Sequence, residues 1–98
     1  TVKLMNTNQL PDEIASISLG EQRHGTGFGL GFSVRIAPDK RWAKDAAIGE
    51  YGWGGMASTH YWISPKNKLV VVTMEQTIPY NWNLERLLKP IVYQAIKE

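Results

Sequence analysis

Cysteine is absent from the 98-residue chain. That excludes a disulfide framework, a thiolate metal site and a cysteine nucleophile together, and leaves the redox compartment open. No apolar run approaches the roughly 20 residues that span a bilayer; the longest, Leu69-Val-Val-Val72, has the length of a strand. The first residues, Thr1 to Asn6, carry no apolar signal-peptide core. Charge of one sign is scarce as well. Eleven Lys and Arg against nine Asp and Glu leave a net charge of +2. Lys40, Arg41 and Lys44 are interrupted by Asp39 and Asp45, so no phosphate-tracking stripe forms and no nucleic-acid partner is expected. The two histidines, His24 and His60, lie far apart, so no metal site is expected.

What remains reads as one folded domain spanning residues 1–98, with 43% hydrophobic and 20% charged residues. Four Trp and nine Gly in so short a chain are the unusual content. Up to about Leu19 the helical character is weak, although Pro11-Asp-Glu13 suits the first turn of a short helix. From Gly25 the period changes to two. Gly25, Gly27, Gly29 and Gly31 alternate with Thr26, Phe28, Leu30 and Phe32, which puts the glycines on one strand face. Another backbone or a helix is expected to approach closely there. This strand is predicted to continue through Ser33-Val-Arg-Ile36, with a loop over 37–47. Further extended runs cover 48–55, 57–63 and 69–75. The last two are predicted to form a hairpin about Ser64-Pro-Lys-Asn67, with Asn67 suited to the left-handed position. The most apolar run, 69–75, reads as a central strand.

Leu84, Leu87, Leu88, Ile91, Val92, Ala95 and Ile96 recur with helical spacing and form one apolar stripe. The helix is predicted to be capped by Asn81 or Asn83 and to kink or restart at Pro90. Together these elements give an α+β fold. It is an antiparallel sheet of about four strands with a C-terminal amphipathic helix on one face, an unpaired edge and a half-covered sheet.

Chemistry-bearing motifs are few. The glycine alternation lacks the G-x-G-x-x-G spacing and any following Gly-Lys-Ser/Thr, so it is not a phosphate loop and no cofactor is expected. No Ser is followed three residues on by Lys, and G-x-S-x-G is absent, so a self-contained serine hydrolase is not expected. The motif that remains is Gly49-Glu-Tyr-Gly-Trp-Gly-Gly55, whose small residues leave backbone N–H groups uncovered beside a Trp wall. A plain bulge or corner glycine pair fits it equally well.

Five segments in order carry a resemblance: Gly27-Phe-Gly-Leu-Gly-Phe-Ser-Val34, Gly49 to Gly55, Tyr61-Trp-Ile-Ser-Pro-Lys-Asn67, Val70-Val-Val-Thr-Met-Glu-Gln76 and Val92-Tyr-Gln-Ala-Ile96. Together they resemble the C-terminal portion of serine β-lactamase-like hydrolases. That group includes class C β-lactamases, penicillin-binding DD-peptidases and, most closely, family VIII carboxylesterases. The resemblance implies a partial β-lactamase/transpeptidase-like fold. It also implies that Trp53-Gly54-Gly55 stands where those enzymes carry their third active-site motif. Met56 would then offer one oxyanion N–H, and Trp53 would line the acyl or alcohol pocket. The S-x-x-K and Y-x-N motifs of the family have no counterpart here, so no catalytic residue is expected in this chain and it is expected to be inactive alone. The implied substrate of the complete protein is a small ester or amide, with simple esters favoured because no Lys stands in the third motif. The implied partner is the N-terminal part of the hydrolase domain, or a second copy joined through a sheet edge. The start at Thr1 reads as internal to a longer domain. Two other readings compete: a Trp-rich module binding carbohydrate, and an assembly protein pairing through its open edge.

Overall fold

The computed structural model describes residues 1–19, 21–38 and 46–96. A single helical turn, α1 (Val2–Met5), is followed by a two-residue hairpin of β1 (Ser18–Leu19) and β2 (Glu21–Gln22). The main sheet comprises β3 (Thr26–Phe28), β4 (Ser33–Arg35), β5 (Tyr51–Gly54), β6 (His60–Ser64) and β7 (Leu69–Thr73). These strands lie in sequence order and every neighbouring pair is antiparallel. The helix α2 (Asn83–Ile96) follows. The fold is therefore α+β, as the patterning predicts, with five strands in place of about four.

The extra strand comes from the glycine-alternating segment, which is a hairpin and not one long strand. Gly29 donates to the Phe32 carbonyl at 2.8 Å, and Gly31 takes a φ of +100° that an L side chain resists. The expected close approach is present. The chain from Met5 to Gln9 runs along the outer edge of β3, where Gln9 N–H donates to Phe28 O at 2.7 Å and Leu30 N–H to Met5 O at 2.8 Å. A Cβ at Gly27 or Gly29 would collide with Asn8 or with the Met5 carbonyl. The β3 edge is thus covered. No helix forms at Pro11-Asp-Glu13.

The opposite edge is β7, which corrects its expected central position. Its neighbour on one side is β6, and among the described residues nothing pairs with the other. Val70 and Val72 are 65% and 60% exposed on the sheet face away from α2. The β6–β7 hairpin itself forms as predicted, with Ser64 Oγ donating to Asn67 Oδ1 at 2.7 Å. The left-handed residue is Lys68, with φ of 53°, and not Asn67.

The helix begins where expected: Asn81 Oδ1 accepts the Asn83 N–H at 3.1 Å. It runs without a break through Pro90. Its orientation is the larger departure. The residues it buries are Glu85, Lys89 and Tyr93, four apart along one face, while Leu87 and Ile91 are 70% and 62% exposed. Leu87 and Ile91 of the apolar stripe look outward, Leu84, Leu88 and Val92 are half-buried, and Glu85, Lys89 and Tyr93 meet the sheet. The expected loop over 37–47 lies mostly outside the described residues, as does Trp42. No helix among the described residues is long and apolar enough to cross a membrane.

Candidate functional site

The Trp-Gly-Gly motif closes β5. Trp53 pairs with Tyr61 and Gly54 with His60. Side chains alternate across a strand, so Gly52 and Gly54 face α2 while Trp53 and Tyr61 share the other face. There the half-buried Trp53 meets the Phe28 ring edge-on at 5.3 Å, and Phe32 touches both Tyr51 and Tyr61. An aromatic wall therefore stands on the sheet face that α2 leaves open.

Beyond Gly54 the chain turns tightly. Gly55 N–H donates to Thr59 O at 2.8 Å and Ser58 N–H to Gly55 O at 3.1 Å. The turn is held by Ser58, which is fully buried with φ of 69°. Its hydroxyl donates to Thr77 O at 2.8 Å and accepts the Asn81 N–H at 3.1 Å. A hydroxyl so engaged and enclosed is a staple and not a nucleophile. Met56 stands at the tip with its side chain 83% exposed, and among the described residues no acceptor meets its backbone N–H. Trp53, Gly54, Gly55 and Met56 run contiguously from the end of β5 into this turn.

On the α2 face lies a chain of polar groups that the sequence reading missed. Glu50, just before β5, accepts from Lys89 Nζ at 2.6 Å and from the Tyr93 hydroxyl. Lys89 also pairs with Glu85 at 2.9 Å and sits 4.5 Å above the Trp62 ring. Glu85 Oε2 is 3.7 Å from His60 Nε2, and His60 Nε2 meets the Tyr80 hydroxyl at 2.7 Å. Burial holds the His60 pKa below its ordinary value, against the opposing pull of Glu85. Burial also pushes the Tyr93 hydroxyl well above its ordinary value, and the hydrogen bond to Glu50 adds to this. Tyr80 is shifted upward too, chiefly by burial. Near neutral pH His60 is therefore uncharged and both tyrosines keep their protons, beside Glu50, Lys89 and Glu85.

The glycine at position 54 joins the two sides of the sheet. A Cβ there would lie 2.7 Å from His60 Cδ2 and 2.8 Å from the Tyr80 hydroxyl. The motif's second residue must be small for the polar chain beneath it to close. The only sequence signal for that chain is the four-residue spacing of Glu85 and Lys89, which ordinarily marks a solvated helix face.

Trp62 is core, at 1% exposure, whereas Trp53 and Trp82 are half-buried. Arg23 and Arg86 lie 5.0 and 5.9 Å from the Trp82 ring centre. No group of His, Cys, Asp and Glu among the described residues could hold a metal ion. No protein-family model and no curated protein matches the chain.

Proposed function

We propose that the chain is the C-terminal segment of a serine hydrolase of the β-lactamase-like group, nearest in kind to family VIII carboxylesterases. It would supply the third active-site motif and the oxyanion strand. The observation that carries this reading is the end of β5, where Trp-Gly-Gly is followed by the uncommitted Met56 N–H on a fixed turn. Trp53 faces the open side of the sheet and would wall the acyl or alcohol pocket. The uncovered β7 edge and the exposed Val70 and Val72 support the reading further, since strands from an N-terminal part of the domain would add there. The exposed Leu87 and Ile91 of α2 likewise suit additional layers.

In the complete enzyme an acyl ester would place its carbonyl oxygen against the Met56 N–H. One such donor contributes about 3–4 kcal/mol to a tetrahedral transition state. The nucleophilic Ser, its Lys and the proton-transferring Tyr would come from the N-terminal part. With no nucleophile in these residues the donor has no acyl-enzyme to stabilise. The 98-residue chain is therefore expected to hydrolyse neither p-nitrophenyl esters nor nitrocefin above background. Robust turnover that disappears on fluorophosphonate treatment or in Gly55→Val would refute the assignment of an incomplete site.

A further inference from the structure

Between the sheet and α2 lies a cavity of about 50 Å³, partly open to solvent, whose walls include Thr26, Gly52, Gly54, His60, Glu85 and Lys89. Its walls take in Gly52 and Gly54, whose Cβ positions are already claimed by the Tyr61 carbonyl and by His60 and Tyr80. We propose that this cavity is a built hydration site, holding a cluster of about three ordered waters that joins the sheet to α2. The volume permits it, since an internal water needs roughly 10–15 Å³ of such space.

Two polar groups in the walls call for an occupant. The Thr26 hydroxyl is buried, the residue being 4% exposed, and it has no hydrogen-bond partner. Glu85 gives Oε1 to Lys89, but its Oε2 stands 3.7 Å from His60 Nε2, too far for a direct bond. A water beside this gap, donating to Glu85 Oε2, would supply the missing bond. Apolar cavities of this size remain dry, but one walled by a carboxylate, an ammonium and a hydroxyl does not. The waters give the Thr26 hydroxyl its partner and give Glu85 Oε2 a donor. The inference does not draw on the hydrolase reading, although Trp53 and Gly54 also line the cavity.

The test uses the 98-residue chain with Thr26→Val and Thr26→Ser. Oxygen-17 relaxation dispersion counts waters held for longer than nanoseconds, and thermal unfolding gives the sign of the change in stability. The expected result is about three long-lived waters in the unaltered protein. Thr26→Val should lose at least one of them and melt lower, and Thr26→Ser should keep them. A dry cavity gives the opposite sign: valine in place of an unpaired buried hydroxyl would raise Tm. No long-lived water in the unaltered chain, a count unchanged by Thr26→Val, or a raised Tm would each overturn the proposal.

Discussion

Lys89→Met is the substitution most damaging to the seam between sheet and helix. Lys89 is 4% exposed and holds Glu50 at 2.6 Å and Glu85 at 2.9 Å. Methionine keeps the length and much of the volume of the side chain and removes only the ammonium. The two carboxylates, whose nearest oxygens lie no more than about 5.5 Å apart through the lysine nitrogen, then face each other without a cation between them. At an effective dielectric constant near 20 that repulsion is about 3 kcal/mol. Removing one partner from a buried pair costs about 3–5 kcal/mol in general. Urea unfolding followed by far-UV circular dichroism and Trp fluorescence should show a loss in this range at pH 7, with α2 released from the sheet. Lys89→Met combined with Glu85→Gln should recover stability at neutral pH, because removing one carboxylate relieves the repulsion. A Lys89→Met protein within 1 kcal/mol of the parent, or a double variant worse than the single, would refute the claim that this trio docks the helix.

His60, with its pKa held below the ordinary 6.5, is neutral in the fold and binds its proton more readily when unfolded. Its contribution is therefore complete above about pH 6.5 and is lost as the pH falls toward the lowered value. His60→Gln should flatten the stability–pH curve in that window, and an unchanged slope would contradict the assignment. Tyr93 has the opposite linkage: its raised pKa makes stability fall as the pH climbs past about 10. Tyr93→Phe should remove much of that alkaline slope while costing about 1.5–3 kcal/mol at pH 7 through the lost bond to the Glu50 carboxylate. Gly54→Ala should cost about 1–3 kcal/mol by pushing His60 and Tyr80 aside, read by the same unfolding assay, and a neutral outcome would mean the contact is loose. The chain in isolation should sediment as a dimer or larger through its open β7 edge, and Val70→Lys or Val72→Lys should shift it toward monomer; a parent protein that is wholly monomeric would contradict this.

The sheet was legible because period-two patterning and turn chemistry are local. The hairpin at Ser64–Asn67 is written in four residues and forms as such. The segment around Gly29 was harder, since strict glycine alternation fits one long strand or two short ones. The choice rests on a positive φ at Gly31 that the residue type only permits. Hydrophobicity misplaced two elements for a common reason. Val70 and Val72 lie on a strand that read as central, and Leu87 and Ile91 on a helix face that read as buried, yet all four are exposed. In their place α2 buries Glu85 and Lys89, a choice that requires Glu50 to wait just ahead of β5, 39 residues away. Long-range charge pairing leaves no local period to read. The site motif at Trp53 to Met56 was legible as a motif, but the reason its glycine must stay small, the His60–Tyr80 pair beneath it, was not.

The most direct test of the hydrolase reading is the size and reactivity of the native product in its source cell. An antibody raised against residues 84–98, combined with a fluorophosphonate probe, reads both in one gel. The account predicts a band several times larger than 11.0 kDa that carries the probe on a serine outside these residues. A native band at 11.0 kDa that takes up no probe would contradict it and leave binding or assembly as the chain's work.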